Sequence, residues 1–166
     1  MDNILHEGMT PKERVEAMLH LDTSKEIRFV TPLYRDGNLK LLEASSDGPT
    51  HARTLWEFSN PHYWANQLNI MHGGAHATIY DCLTSASLAV IARPGFYMYM
   101  GVSRTLSVSY LRGAKSDEPV LIECEVVHAG QRLALSRATM RRKSDGEVLS
   151  VCEHNKINSD PPAPKL

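Results

Sequence analysis

Near the start of the chain, apolar residues recur at the three- and four-residue spacing of a helix that buries one face. Thr10 followed by Pro11 is typical of a helix start, and Glu13, three residues after Thr10, completes a capping box. The pattern therefore predicts a short helix over residues 11–21. Its apolar stripe consists of Val15, Met18, Leu19 and Leu21.

A connector and two strands are predicted next. Residues 22–38 contain Pro32 and turn-forming residues, which favours a connector with one short strand near 27–30. The segments 39–45 and 51–59 are rich in alternating apolar and polar residues and are separated by a turn. Such segments are typical of half-buried strands.

The longest helical pattern covers residues 73–92 and is ended by Pro94-Gly95. Asp81 is its one acidic residue among small and apolar neighbours. A helix without a charged outer face is normally wrapped by other structure, so we expect this helix to be central. Its apolar members are Ile79, Leu83, Ala86, Val90 and Ile91.

The segment 99–111 alternates between apolar and hydroxyl-bearing residues, which predicts a strand. Arg104 is the one residue that breaks the apolar side. The alternation predicts one face made of Val102, Leu106, Val108 and Tyr110, and another made of Ser103, Thr105, Ser107 and Ser109.

Three further strand candidates, at 118–130, 131–142 and 146–157, are joined by short turns, which predicts an antiparallel meander. The order of the elements predicts an α+β fold in which an antiparallel sheet curls around the long helix. The expected division of the chain is an N-terminal helix and connector over 1–38, a main domain over 39–157, and a mobile, proline-rich tail over 158–166.

Composition and charge narrow the class of protein. The 166 residues suit one domain, and a formal net charge of −1 gives no support for binding to nucleic acid. No apolar stretch is long enough to span a membrane. The three cysteines are an odd count with no metal-binding spacing, which argues against a disulfide framework and favours a reducing compartment. The N-terminal segment lacks a signal-peptide core, so we expect a cytosolic protein.

Candidate chemistry lies at the start of the long helix, where His72, Gly73 and Gly74 stand in sequence. A helix start carries unpaired backbone N–H groups and the positive end of the helix dipole. Glycine allows close approach to those groups, so the segment could polarise a carbonyl or stabilise an oxyanion. The alternative is that the two glycines only form a tight turn.

Asp81 lies eight residues after Gly73, or about 12 Å along a helix axis. It therefore cannot act on a carbonyl held at the Gly73 N–H of its own helix. A two-fold dimer with antiparallel helices would bring the glycine end of one chain to the aspartate of the other, giving two composite sites. The alternative is that Asp81 lies at the surface or caps a nearby loop.

Other reactive residues near this segment carry weaker signals. His72 and His76 share a helical face, but no third ligand indicates a metal site. Ser85 lacks the surroundings of a nucleophilic serine, so packing or helix-backbone bonding is expected. Cys82 is expected to be a buried structural residue. Gly74 and Ser85 are retained as candidate contacts to a substrate.

The segments "NQLNIMHGGAHATIYDCLTSASL" and "MGVSRTLSVSYLRGAK" together resemble the hotdog-fold thioesterases, in particular the phenylacetyl-CoA thioesterase type. The resemblance covers about residues 39–157 and implies a long helix wrapped by an antiparallel sheet. It also implies dimers that pair into tetramers, and an acyl group on CoA or a carrier thiol as substrate. No metal or cofactor is implied, since CoA enters only as part of the substrate.

The family's functional positions fall on five residues of this chain. The resemblance implies that Gly73, which follows His72, polarises the thioester carbonyl and that Asp81 is the catalytic carboxylate. It implies that Ser103 helps to place water and that Asn66 orients the carboxylate or the water. Basic residues at the rim would meet the phosphates of CoA, and the candidates are Arg112, Lys115, His154 and Lys156.

Three functions remain open from the sequence. Hydrolysis of an acyl thioester is the leading one, with Asp81 as general base or as nucleophile. A dehydratase on the same scaffold would use His72 and Asp81 on a β-hydroxyacyl chain, and the scaffold could serve another reaction of a thioester or polyketide-like substrate. A non-catalytic acyl-CoA binder would need no carboxylate.

Overall fold

The computed structural model describes residues 8–20, 28–35 and 37–162, which form one antiparallel sheet and three helices. The helices are α1 (Pro11–His20), α2 (Thr31–Arg35) and α3 (Gly73–Ser87). The strands are β1 (Leu39–Ser45), β2 (Ala52–Phe58), β3 (Val102–Tyr110), β4 (Val120–Ala129), β5 (Leu133–Arg142) and β6 (Val148–Ile157). Single turns of 3₁₀ helix lie at His62–Trp64 and Leu88–Val90.

The sheet has the strand order β1-β2-β4-β5-β6-β3, and all neighbours are antiparallel. The meander of β4, β5 and β6 follows the predicted order. β3 comes earlier in the chain but pairs with β6, which places it at one edge of the sheet. α3 contacts β2, β3, β4, β5 and β6. The predicted α+β architecture, with an antiparallel sheet around a long helix, is confirmed.

α3 lies at the centre of the fold because packing against the sheet removes its apolar face from water. Ile79, Tyr80 and Leu83 are fully buried, and they belong to the same core as the buried side chains of the sheet. Polar groups on this helix are buried only with partners, as at Ser87, whose hydroxyl lies 2.6 Å from that of Thr54. The α-helix ends at Ser87 and continues as a 3₁₀ turn to Val90, slightly short of the predicted end.

α1 packs against the end of this central helix. The capping box predicted at its start is present, because the Thr10 N–H donates to the Glu13 carboxylate at 2.8 Å and the Glu13 N–H donates to the Thr10 hydroxyl at 3.3 Å. The Arg14 guanidinium donates to the carbonyls of Ala89 and Ala92. These carbonyls follow α3, so α1 satisfies acceptors that the end of a helix leaves open. The predicted last residue, Leu21, lies outside the described residues.

The connector differs from the prediction of a strand near 27–30. Residues 28–30 form a turn that leads into α2, and Ile27 lies outside the described residues. The Thr31 hydroxyl accepts a hydrogen bond from the Arg28 N–H at 2.8 Å. Pro32 then occupies the first turn of the helix, where its missing N–H costs nothing and its restricted φ is favourable.

A mobile tail was expected to begin at residue 158, but the first residues after β6 make hydrogen bonds to the rest of the chain. The Asn158 side chain donates to the carbonyls of Gly95 and Gln131. The Asp160 carboxylate accepts hydrogen bonds from the backbone N–H groups of Met98 and Tyr99, at 2.6 and 3.2 Å. Residues 158–160 therefore hold the loop between α3 and β3, while residues 163–166 lie outside the described part of the chain.

No helix in the described ranges is long and apolar enough to cross a membrane.

Gly101, directly before β3, provides a test of how tightly this strand is joined to β6. Its φ is +63°, and a Cβ there would lie 2.5 Å from the Ile157 carbonyl oxygen. Gly146 has a similar φ of +75° but open space around it. We expect Gly146→Ala to cost about 1 kcal/mol of unfolding free energy through strain alone. Gly101→Ala should cost at least about 2 kcal/mol more, because the clash is with backbone.

Urea unfolding of the two variants beside the unaltered protein measures this difference. Equal losses for both glycine variants would show that the Ile157 carbonyl can move at little cost.

Candidate active site

Asp81 is the one acidic side chain on α3, and it is held from the neighbouring strand. Its Oδ1 accepts a hydrogen bond from the Ser103 hydroxyl at 2.6 Å. The Ser85 hydroxyl donates to the Asp81 backbone carbonyl at 2.5 Å. The side chain is 46% exposed in the single chain, so the carboxylate is fixed in direction yet open to a reactant.

A β-bulge at Arg104 turns Ser103 towards α3. In the pairing of β3 with β6 the register shifts between Ser103 and Thr105, so Arg104 is an extra residue on the β3 side. Ser103 is paired with Lys156, and residues paired directly across a ladder lie on the same face. Lys156 is buried and contacts Ser85 of α3, so this is the helix side of the sheet.

Because of this bulge, the predicted faces of β3 are wrong at Val102 and Ser103. Uninterrupted alternation placed Val102 on the apolar face and Ser103 on the hydroxyl face, and the extra residue exchanges the two. Val102 is paired with Ile157 and is 59% exposed, on the side away from the helix. The helix side of β3 therefore carries Ser103, Leu106, Val108 and Tyr110.

His154 lies beneath Asp81 and is fully buried. Its Nδ1 is 2.7 Å from the Thr84 hydroxyl, whose hydrogen is already donated to the Tyr80 carbonyl at 2.6 Å. Nδ1 therefore carries the ring proton and donates it to Thr84. Nε2 faces Asp81 Oδ1 at 3.4 Å and has no hydrogen-bond partner among the described residues.

Burial, together with the positive charge of Lys156, lowers the pKa of His154 to about 4, although Asp81 opposes the shift. The ring is therefore neutral at pH 7, and it donates no hydrogen bond to the carboxylate.

Lys156 is the second buried basic residue of this group, with 3% of its surface exposed. Its ammonium lies 2.6 Å from the Ser85 hydroxyl oxygen and 3.4 Å from that of Ser103. Burial lowers the pKa of Lys156, and the electrostatic influence of Asp81 and Cys82 partly opposes this.

His154 and Lys156 were predicted to lie at an exposed rim, whereas both are buried in the structure. A phosphate at the protein surface cannot reach side chains that face α3 from inside the sheet. Arg112 and Lys115 do lie at the surface, with side chains 64% and 74% exposed. Only these two of the four predicted rim cations are accessible in the chain.

The start of α3 is shaped by the imidazole of His72. This residue is the N-cap, and its Nδ1 accepts a hydrogen bond from the Gly74 N–H at 2.9 Å. The Gly74 N–H is therefore used within the chain, whereas the Gly73 N–H has no acceptor among the described residues. The Tyr110 hydroxyl donates to the Gly73 carbonyl at 2.9 Å. Tyr110 was not predicted as a site residue, although it ends the inward-facing alternation of β3.

A cleft of about 350 Å³ opens beside Gly73. Tyr110 and Arg112 form part of its wall together with the buried ring of His76. Its lining consists of Ile70, Met71, Gly73, His76, Tyr110, Leu111, Arg112 and Gly113.

Asn66 belongs to the glycine end of the chain. Its side-chain oxygen accepts hydrogen bonds from the N–H groups of Leu68 and Ile70, at 2.9 and 3.3 Å. These bonds shape the loop that leads to His72. The side-chain nitrogen of Asn66 donates to no described residue, which leaves it available to a ligand.

The predicted site residues thus form two groups at the two ends of a helical segment about 12 Å long. The glycine group consists of Asn66, His72, Gly73, Gly74, Arg112 and Lys115. The aspartate group consists of Asp81, Ser85, Ser103, His154 and Lys156.

Other potentially reactive side chains are kept inactive by burial. It raises the pKa of Cys124 and of Cys152 to about 12, so neither is a thiolate at pH 7. His76 is buried with its Nδ1 2.9 Å from the Ser150 hydroxyl. Within the described ranges no cluster of three His, Cys, Asp or Glu side chains is arranged to hold a metal ion.

This architecture is similar to that of solved structures, and part of the sequence matches a known family. The zebrafish thioesterase superfamily member 2 has the same fold, with a TM-score of 0.74 and 21% identity over 92% of this chain and 100% of that chain. Residues 68–149, which include α3 and β3, match the sequence model of the Thioesterase superfamily. The chain therefore has the hotdog fold, and just under half of its length matches the Thioesterase superfamily.

Two further proteins that are similar to this chain carry names that mention coenzyme A. Mouse acyl-coenzyme A thioesterase 13 is 28% identical over 91 residues, which are 55% of this chain and 62% of that protein. The chain thus spans about three fifths of the length of the curated relatives it matches. A hypothetical thioesterase from Streptococcus pneumoniae, solved with coenzyme A, has a TM-score of 0.64 and 18% identity over 77% of this chain and 94% of that chain.

Because His76 is buried, we expect the free energy of unfolding to fall in acid. Burial lowers its pKa from 6.5 to about 4, so the unfolded chain takes up the proton first as the pH falls. The free energy of unfolding should therefore decrease between about pH 6.5 and pH 4, by up to about 3 kcal/mol from this residue.

Urea unfolding from pH 7 to pH 4 measures this effect when it is repeated with His76→Gln, which cannot titrate. The variant should lose less stability than the unaltered protein over this range. Parallel curves for the two would contradict the role given to His76.

Proposed function

We propose that this protein hydrolyses an acyl thioester to a carboxylic acid and a thiol. The observation that carries the proposal is the hydrogen bond of 2.6 Å from Ser103 to Asp81, which holds a half-exposed carboxylate at one end of a helical segment. The other end of that segment offers the Gly73 N–H, which has no acceptor among the described residues. The match of residues 68–149 to the Thioesterase superfamily supports the same chemistry.

The Gly73 N–H would hold the thioester oxygen. It lies at a helix start, where the dipole favours negative charge, and it would donate to the oxygen as charge develops there. The Asn66 amide, which extends from the loop before His72, is the second donor on this side. The carbonyl carbon then becomes more open to attack from the opposite side.

Asp81 would serve the attacking group. As general base it takes a proton from water while the water oxygen bonds to the carbonyl carbon, and the carbon–sulfur bond then breaks to release the thiolate. As nucleophile it would first form an acyl anhydride with release of the thiolate, and water would then cleave that anhydride. In both routes Ser103 fixes Oδ1 and leaves the other carboxylate oxygen for the reaction.

The two ends need a second chain to meet. In the part of the chain that the structure describes, β3 is an edge strand with one neighbour, and Val102 and Tyr110 at its two ends are 59% and 54% exposed. It runs opposite to α3, since Ser103 bonds to Asp81 and Tyr110 bonds to Gly73. Antiparallel pairing of two β3 strands about a two-fold axis would satisfy both edges and bring Asp81 of one chain towards Gly73 of the other.

The substrate that fits best is an acyl-CoA. Arg112 lines the cleft beside Gly73. Lys115 forms an isolated β-bridge with Ile70, which lines the same cleft. Both are exposed cations that could meet phosphates. Relatives whose names include acyl-coenzyme A thioesterase, and a fold relative solved with coenzyme A, support this choice. The proposed reaction uses only side chains, backbone and water, with CoA as part of the substrate.

Asp81→Asn should reduce thiol release from acyl-CoA by about 10² to 10⁴-fold, because the amide can neither accept the proton nor attack. The side chain keeps its shape and can still accept a hydrogen bond from Ser103, so folding and assembly should not change. The measurement is thiol release over a panel of acyl-CoAs, with Asp47→Asn, at an exposed turn, as the matched control.

Full activity of Asp81→Asn would refute the assignment. Conversion of enoyl-CoA without thiol release by the unaltered protein would favour the dehydratase, and tight acyl-CoA binding without turnover would favour a binder.

Mixing two inactive variants tests the composite site. Gly73→Val should be inactive, since a Cβ there already lies 3.4 Å from the Tyr110 ring and two methyl groups would crowd the cleft. After subunit exchange with Asp81→Asn, activity should return to about a quarter of the unaltered value, because half of the dimers are mixed and each has one intact site.

The matched control mixes Asp81→Asn with Ser103→Ala, whose lesions fall in the same half of the site, and it should show no recovery. Absence of recovery in the first mixture, with exchange confirmed by mass spectrometry, would mean that the site lies within one chain.

A further inference from the structure

Lys156 is a lysine in an unusual place. It is 3% exposed, and buried lysines are rare because removal of an ammonium from water is costly. No carboxylate lies within ion-pair distance of its ammonium in the described part of the chain. Its two contacts are hydroxyl oxygens, those of Ser85 at 2.6 Å and Ser103 at 3.4 Å.

These contacts determine the direction of both hydroxyl groups. An ammonium can only donate hydrogen bonds, and a serine hydroxyl has one hydrogen to give. Each serine must therefore accept from Lys156 and donate its hydrogen elsewhere. Ser85 donates to the Asp81 backbone carbonyl, and Ser103 donates to Asp81 Oδ1. Both hydrogen bonds end on the same residue.

We infer that Lys156 is a positioning residue for Asp81, acting through the hydroxyl groups of Ser85 and Ser103. This inference rests on the proposed function, because it assigns Asp81 a reaction. Without the ammonium, the Ser103 hydrogen is free to rotate and the carboxylate loses the partner that fixes Oδ1. The remaining oxygen would then lose its fixed direction towards water or the thioester carbon.

The titratable groups around Asp81 show which of them can act as the buried cation. α3 contributes Asp81 and Cys82, and β6 contributes Cys152 and His154. Of these, Cys152 and His154 are neutral at pH 7. β5 offers only Ala134 and Ser136 opposite the two basic residues, and Arg104 of β3 is exposed at the bulge. Among the described residues, Lys156 is thus the buried positive charge beside the carboxylate.

Kinetics of two substitutions test the inference. Lys156→Met keeps the length of the side chain but removes the donor, and it should lower kcat by about 10- to 100-fold while KM changes by less than about threefold. Lys156→Arg retains a donating cation and should recover part of this loss. Lys40→Met, at an exposed position of β1 on the opposite edge of the sheet, is the control and should match the unaltered protein.

A folded Lys156→Met with kcat within twofold of the unaltered value would overturn the inference. If that variant does not fold, Ser85→Ala is the substitute, because it removes the nearer contact of the ammonium and leaves the charge in place. It should lower kcat by about three- to tenfold, and an unchanged kcat would overturn the inference equally.

The pH profile separates positioning from a purely structural role. Because burial lowers the pKa of Lys156, kcat/KM should fall on the alkaline side at a pH below the 10.5 of an ordinary lysine. The fall should move to higher pH in Lys156→Arg and should be absent from the residual activity of Lys156→Met. Identical alkaline limbs in all three proteins would contradict the inference.

A readout without substrate distinguishes failure of the inference from failure of the proposed function. The ¹³Cε signal of Lys156, identified by its loss in Lys156→Met, should titrate at lower pH than the other lysines and should shift in Ser103→Ala. An ordinary titration, unchanged in Ser103→Ala, would overturn the inference. Absence of thiol release from every acyl-CoA, with the expected Lys156 titration, would instead refute the proposed function and leave the hydroxyl geometry standing.

Discussion

The hydrogen bond between Ser103 and Asp81 joins the central helix to the edge strand, and much of the site depends on it. At 2.6 Å it links an acceptor on α3 to a donor on β3. It requires an acidic residue on a helix that is otherwise small and apolar, and it requires a hydroxyl on the helix side of an exposed strand. The helix is positioned by its buried face against the sheet, while the strand is adjusted by one extra residue at Arg104.

The other end of the same helix is arranged by different means. His72 closes the first turn by accepting from the Gly74 N–H, and Tyr110 donates to the Gly73 carbonyl. Both contacts restrain the backbone around an N–H that stays without a partner in the described chain. The helix and the strand therefore run side by side and are joined at both ends, with a donor site at one junction and a carboxylate at the other.

Much of the fold could be predicted from the pattern of the sequence. Alternation located the strands, and the capping residues Thr10 and Glu13 located the first helix within the described residues. α2 was missed because Pro32 suits a first helical turn as well as a connector. The anchoring of Asn158 and Asp160 was missed because their partners lie in a loop far away in sequence.

The candidate site was predictable in its residue types but less so in its geometry. The spacing of Gly73 and Asp81 already implied two separate ends. The bulge at Arg104 could not be predicted, because one extra residue in a strand leaves little trace in composition. His154 and Lys156 were assigned to the surface because their charge is typical of exposed residues, although strict alternation with the buried Cys152 places both on the inward face of β6.

The position of β3 at the edge of the sheet also has a consequence for the order of folding. β3 precedes β4 and β5 in the chain but pairs with β6 alone among the described strands, so Ser103 finds its neighbour Lys156 across 53 residues. Hairpin contacts between successive strands close short loops, whereas this pairing closes a long one and is slower to form. We expect the meander to form first and the edge strand to join late, so the carboxylate receives its partner only when most of the sheet is already in place.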